Sequence, residues 1–206
     1  MAKSIRIVVF ASGRGSDFQS IIDGIAKGEV NAKVELLVTD NPSAFAIERA
    51  KKAGIAHEIF EPKKYSSREL FDEAVMKSVD SVAPDLIVLA GYMRIIKSGK
   101  FLQKYSDRII NIHPSLLPKY PGAHAQKDAF DAGEKVSGLT IHFVDESLDM
   151  GPVIYQEKVD ISDCKSAEEV SAKILEREHI AFPKIVDSFS KGRYVIEGKK
   201  ARFVRE

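Results

Sequence analysis

The residues best suited to chemistry lie in Asn111-Ile112-His113-Pro114-Ser115-Leu116-Leu117-Pro118, reached through Arg108-Ile109-Ile110. If this run is a strand, alternate residues project from one face, so Asn111 and His113 share a side and Ile112 takes the other. Pro114 keeps His113 extended and cannot donate to a sheet ladder, so the strand is expected to end at the polar pair. In an open α/β sheet, ligands bind at the carboxyl ends of the strands. There an amide offers a donor to a developing oxyanion, and an imidazole moves protons near neutral pH. The plainer alternative is a pair of satisfied polar residues closing a strand, and spacing alone leaves both open.

Such a pair has to be held by a sheet, and the preceding chain reads as one. Residues 5–10 form a buried strand that runs into the turn Ala11-Ser12-Gly13-Arg14-Gly15-Ser16-Asp17 and a helix carrying Phe18, Ile21, Ile22 and Ile25. Free amides at such a helix start suit a phosphate, although the spacing is neither a P-loop nor a dinucleotide fingerprint. A tight turn capped by Ser16 or Asp17 explains the same residues, and a side chain at Gly15 is expected to block a phosphate while sparing the fold. Residues 34–39 and 57–60 read as further strands, with helices over 44–52 and 66–82. The most apolar strand, 86–90, is expected near the middle of the sheet and empties into Gly91-Tyr92-Met93-Arg94-Ile95-Ile96.

Beyond the polar pair, residues 119–123 form a Pro/Gly-rich loop and 126–132 a short helix stopped by Gly133. Residues 137–144 and 153–161 read as long strands joined by the polar loop 145–152. A helical pattern over 167–190 is interrupted by Pro183, which is expected to kink or divide it, and 194–204 looks like a terminal hairpin. The fold class is therefore α/β: a doubly wound, mostly parallel, Rossmann-like sheet with an antiparallel extension towards the C-terminus. A single domain over 1–206 is the economical reading, since no repeat or linker interrupts it.

Composition narrows the function. The 206 residues carry 31 basic and 30 acidic side chains, a formal net charge of +1, so a general nucleic-acid or membrane-surface role is not favoured. Cys164 is the lone cysteine, which excludes an intrachain disulfide and fits a reducing, cytoplasmic setting. No run reaches the length of a membrane span. Small-molecule substrates are the expected partners; the oligomeric state, a homodimer included, stays open.

The chain resembles the 10-formyltetrahydrofolate-dependent formyltransferases, and within them the purine-pathway members that formylate a glycinamide ribonucleotide. The resemblance rests on Ser12-Gly13-Arg14-Gly15-Ser16, Leu89-Ala90-Gly91-Tyr92-Met93-Arg94, the Asn111–Gly122 run, and His142-Phe143-Val144 leading on to Leu148-Asp149 and Gly151-Pro152. It implies a catalytic trio of Asn111, His113 and Asp149, with the carboxylate favouring imidazolium and fixing the tautomer. It implies substrate contacts at Gly13, Arg14, Gly15, Ser16 and Asp17 for the phosphate, at Gly91, Met93 and Pro114 along the cleft, and at Glu178 for the ribose. The folate, 10-formyltetrahydrofolate acting as co-substrate, is implied to lie against Leu89, Arg94, Ile95, Ile96, Ile109 and Val144, with Asp145, Glu146 and Asp149 at its polar edge. No metal is implied, because the formyl group is already activated.

Three residues depart from the family pattern: Asp17 stands for an asparagine, Met150 for a glycine, and Leu175 where a polar contact is expected. They bear on the phosphate and ribose contacts rather than on the chemistry. His124 and His142 are further candidates that could help the site or serve structure, whereas His57, His179 and Cys164 read as structural or surface residues. Two other family activities compete: a formyltetrahydrofolate deformylase would be expected to carry an N-terminal regulatory domain, and a methionyl-tRNA formyltransferase a C-terminal one. A non-catalytic folate- or nucleotide-binding module is disfavoured by the intact trio.

Overall fold

The computed structural model describes residues 3–205. Its elements run β1 (Ile5–Phe10), α1 (Ser16–Ala26), β2 (Ala32–Thr39), α2 (Ala46–Lys52), β3 (Ala56–Ile59), α3 (Arg68–Val82), β4 (Leu86–Leu89), α4 (Gly99–Lys104) and β5 (Ile109–His113). They continue as α5 (Ala125–Asp131), β6 (Val136–Phe143), β7 (Val153–Asp160), α6 (Ala167–Ser188), β8 (Gly192–Glu197) and β9 (Lys200–Arg205). All strands join one nine-stranded sheet in the order β3-β2-β1-β4-β5-β6-β7-β9-β8. From β3 to β5 every pairing is parallel. β6 then runs antiparallel to β5, and β7 to β6. The terminal hairpin β8–β9 is attached through the single parallel pair Val153↔Lys200.

The chain winds outward from β1 to β3 and returns to set β4 on the other flank of β1. That reversal opens a crevice at the carboxyl ends of β1 and β4, where open α/β sheets hold ligands. β5, rather than β4, is the middle strand of the sheet.

Alternation along the strands divides the core in two. Ile7, Val9, Val88, Ile110 and Ile112 face α1 and α6 in one apolar cluster, while Val8, Phe10, Ile87, Leu89 and Ile109 face α3 and α4 in the other. α1 and α6 pack together, with Phe18 and Phe182 fully buried in the cluster they share. Burying each such side chain is worth roughly 1.5–3 kcal/mol, enough to fix where the two helices sit over the crevice.

One expectation needs correction, and one element was not anticipated. Pro183 does not divide its helix: α6 runs unbroken from Ala167 to Ser188, and Pro183 is buried where α6 meets Gly24 of α1. Packing on that face outweighs the backbone hydrogen bond that proline removes. α4 had no counterpart in the pattern reading, being six residues long; its local signal is Ser98, whose hydroxyl accepts from the Phe101 amide.

Candidate active site

A cavity of about 360 Å³ lies across the carboxyl ends of the central strands. It reaches both sheet faces, from Leu89, Ile96 and Val144 on the α3–α4 side to Asp17, Leu175 and Glu178 on the α1–α6 side. Asn111, His113, His142 and Asp149 line it between these ends.

The register of β5 against β6 sets Asn111 directly opposite His142 and His113 opposite Thr140. The His142 Nδ1 lies 2.9 Å from the Phe143 carbonyl, so it carries the proton and donates. Its Nε2 is then a lone pair, and it accepts from the Asn111 Nδ2 at 3.2 Å. This orients the asparagine amide and leaves its second N–H outside that bond. His113 is pinned the other way: its Nε2 donates to the Tyr120 carbonyl at 2.8 Å, leaving Nδ1 as the nitrogen that gains or loses a proton. That Nδ1 faces the Asp149 Oδ2 at 3.6 Å, and the Asp149 Oδ1 faces the His142 Nε2 at 3.8 Å. The Gly122 amide donates to the same Oδ2 at 2.8 Å and holds the carboxylate in place.

Burial pushes the His142 pKa down, and it outweighs the opposing pull of the Phe143 carbonyl and the Asp149 charge. The ring is thus neutral near pH 7, as its acceptor role towards Asn111 requires. Ring ¹⁵N NMR at pH 6.5 is expected to find His142 in the neutral Nδ1–H form; an imidazolium spectrum there would undo the orientation assigned to Asn111.

Asp149 sits in a backbone conformation with φ 53°, which aspartate tolerates better than most residues. Just beyond it, a Cβ on Gly151 would lie 1.9 Å from the Phe143 carbonyl oxygen, so the loop presses directly on the end of β6. Met150, the unusual residue between them, is exposed, and its carbonyl accepts from the Lys199 Nζ at 3.0 Å. No left-handed φ is needed at that position, so the missing glycine leaves the path of the loop intact.

The segment after β5 is held from beneath by Thr140, which is fully buried. Its hydroxyl donates to the Ser115 carbonyl at 2.6 Å and accepts from the Leu117 amide at 3.1 Å. The Gln156 side chain bridges the same hydroxyl and the Leu117 carbonyl. The Ser115 hydroxyl in turn donates to the Tyr120 carbonyl that faces His113, at 3.2 Å. Thr140→Val keeps the shape and strands several buried polar groups, so a loss of about 1–3 kcal/mol in unfolding free energy is expected by denaturant titration. An unchanged midpoint would show that the loop is held elsewhere.

At the acid end, the sequence expectations fare unevenly. Gly15 precedes α1 in a left-handed conformation and no side chain caps the helix, so neither Ser16 nor Asp17 is a cap. Of the proposed phosphate residues, only Asp17 lines the cavity; Gly13, Arg14, Gly15 and Ser16 do not. Gly15 is also a poor probe of phosphate binding. Its φ is +64°, and a Cβ there would meet the Ala46 Cβ at 2.8 Å, so a larger residue disturbs the α1–α2 contact as well. Asp17 and Glu178 are both buried against the cavity, and the Asp17 Oδ1 has no hydrogen-bond partner among the described residues. Burial raises the Asp17 pKa to about 7. Glu178 is raised well above its usual value by burial first and by the Asp17 charge second.

At the apolar end, Leu89, Arg94, Ile95, Ile96, Val144 and Asp145 line the cavity as expected, as do Gly91, Met93 and Pro114 along its length. Ile109 does not: it is buried in the core beneath. Glu146 also lies outside the lining, whereas its neighbours Ser147 and Leu148 belong to it. The Arg94 Nε is paired with the Asp40 Oδ2 at 2.8 Å, which fixes the guanidinium at the cavity edge. Residues the sequence did not single out are Tyr92, Ile112, Gly122, Ala123 and Gln126. His124 stands aside from the cavity, at the start of α5.

Against known proteins, residues 5–186 match the family model described as formyl transferase. The phosphoribosylglycinamide formyltransferase of Escherichia coli K12 is 40% identical over 189 residues, covering 92% of this chain and 89% of that protein. The trifunctional purine biosynthetic protein adenosine-3 of Drosophila melanogaster is 40% identical over 194 residues, 93% of this chain and 14% of that protein. The crystal structure of glycinamide ribonucleotide transformylase 1 from Symbiobacterium toebii superposes with a TM-score of 0.93 at 40% identity, covering 97% of this chain and 94% of that one.

Proposed function

The chain belongs to the formyl transferase family, and from that premise we propose that it transfers the formyl group of 10-formyltetrahydrofolate to the glycinamide amine of 5'-phosphoribosylglycinamide in purine biosynthesis. The observation that carries this reading is the convergence of Asn111, His113 and Asp149 on one cavity with an apolar end and a carboxyl end. Residues 1–206 are read as one formyltransferase unit working in the cytoplasm.

The folate supplies an activated formyl carbon. The residues present fit it: a cavity of about 360 Å³ lies within the range of small-molecule sites. Leu89, Ile95, Ile96 and Val144 offer apolar surface to a flat bicyclic ring, and the loop from Asp145 to Asp149 offers polar backbone to its edge. In formyl transfer to an amine, the carbonyl oxygen gathers negative charge, the amine sheds a proton and the leaving nitrogen gains one. The free N–H of Asn111 donates to the charged oxygen. The His113 Nδ1, facing Asp149, relays a proton or holds positive charge beside the oxyanion, while its Nε2 stays on the Tyr120 carbonyl.

The test is an absorbance assay with a 10-formyl folate analogue, with and without glycinamide ribonucleotide. Turnover is expected only with the ribonucleotide. Formate release without it would instead support a deformylase.

A further inference from the structure

We propose that Asp17 and Glu178 form one carboxyl pair that holds a single proton in the free protein and takes up a second from solvent when a phosphate monoester acceptor enters. Asp17 thereby sets the pH range over which the acceptor binds. The phosphate half of this inference rests on the acceptor assigned above; the proton on the free pair does not.

The geometry is specific. Asp17 lies in the first turn of α1 and Glu178 on α6, the two helices pack together, and both carboxyls line the cavity. Each is more than nine-tenths buried. Two carboxylates in so dry a place cannot both ionise near neutral pH, and they titrate as a unit. Among the described residues, no neighbouring cation offsets their burial. His179 brings its Nε2 to 3.8 Å from the Asp17 Oδ1, and neither atom has a hydrogen-bond partner among the described residues. Burial, and then the Arg49 charge from α2, push the His179 pKa down, while Asp23 of α1 opposes them, so the ring is neutral near pH 7. The Arg49 Nε is committed to the Arg14 carbonyl at 2.8 Å and its Nη1 to Gln19.

A phosphate monoester is largely dianionic above about pH 6. Beside an ionised Asp17 it meets like charge in a dry pocket. Protonating that carboxyl removes the repulsion and turns the unpartnered oxygen into a donor for the ligand. A group protonated in the complex and ionised in the free protein makes affinity fall as pH rises. The slope approaches about tenfold per pH unit above the free-state midpoint near 7.

Two measurements separate the halves. In the free protein, ¹³C carboxyl NMR is expected to follow Asp17 through a midpoint near 7. A midpoint in the ordinary carboxylate range would overturn the pair, whatever the acceptor does. For the complex, glycinamide ribonucleotide is titrated calorimetrically at pH 8 in two buffers of different ionisation enthalpy. Wild type is expected to take up about one proton per acceptor and Asp17→Asn close to none, with the variant binding tighter by about tenfold at pH 8. Binding without proton uptake in wild type, or equal uptake in both proteins, would overturn the inference. No binding to either folded protein, with the NMR midpoint intact, would refute the acceptor and leave the free pair standing.

Discussion

Asp149→Asn is expected to lower turnover by about 10²–10⁴, the range typical of positioned acid–base and electrostatic groups. The carboxylate stands between the reactive Nδ1 of His113 at 3.6 Å and the Nε2 of His142 at 3.8 Å. Asparagine preserves its outline and can still accept from the Gly122 amide. It cannot take a proton or balance an imidazolium, so the defect should appear in kcat. Asp149 lies on a loop at the cavity rather than in the core, so the melting temperature should move little. A variant with near-normal turnover would remove Asp149 from the chemistry.

The second large effect is expected at Asn111. Replacing it with alanine strips the His142 Nε2 of its donor and removes the N–H that we assign to the developing oxyanion. Loss of one such donor typically costs about 10²–10³ in kcat, equivalent to about 2.7–4 kcal/mol. Because the interaction strengthens only as charge develops, KM should change little. If KM rises while kcat holds, Asn111 contributes ground-state binding and not transition-state stabilisation.

Part of this cavity's lining is legible in the chain itself. The polar pair on β5 could be read because strand alternation and Pro114 are local properties, and both survive folding intact. The doubly wound half could be read for the same reason. His142 was harder: whether it faced the cavity depended on the register of β6 against β5, a pairing between segments about thirty residues apart that no local period encodes. Once that register is known, its place opposite Asn111 follows. The glycine-rich turn answers to a second requirement that composition does not reveal. Its composition resembled a phosphate cradle, yet part of its glycine requirement comes from the contact of Gly15 with Ala46 on α2. Asp17 shows the limit most clearly. Its charge was visible in the chain, but its burial beside Glu178 depends on how α1 and α6 pack, and that is a tertiary fact.

The most direct measurement follows the carbon itself. With a 10-formyl folate donor labelled at the formyl ¹³C, and glycinamide ribonucleotide as acceptor, NMR of the reaction should show the label leaving the folate and reappearing as a formamide on the ribonucleotide, at a rate that collapses in Asn111→Ala and Asp149→Asn. Label that stays on the folate with active-site residues intact, or that appears only as formate, would contradict formyl transfer to this acceptor.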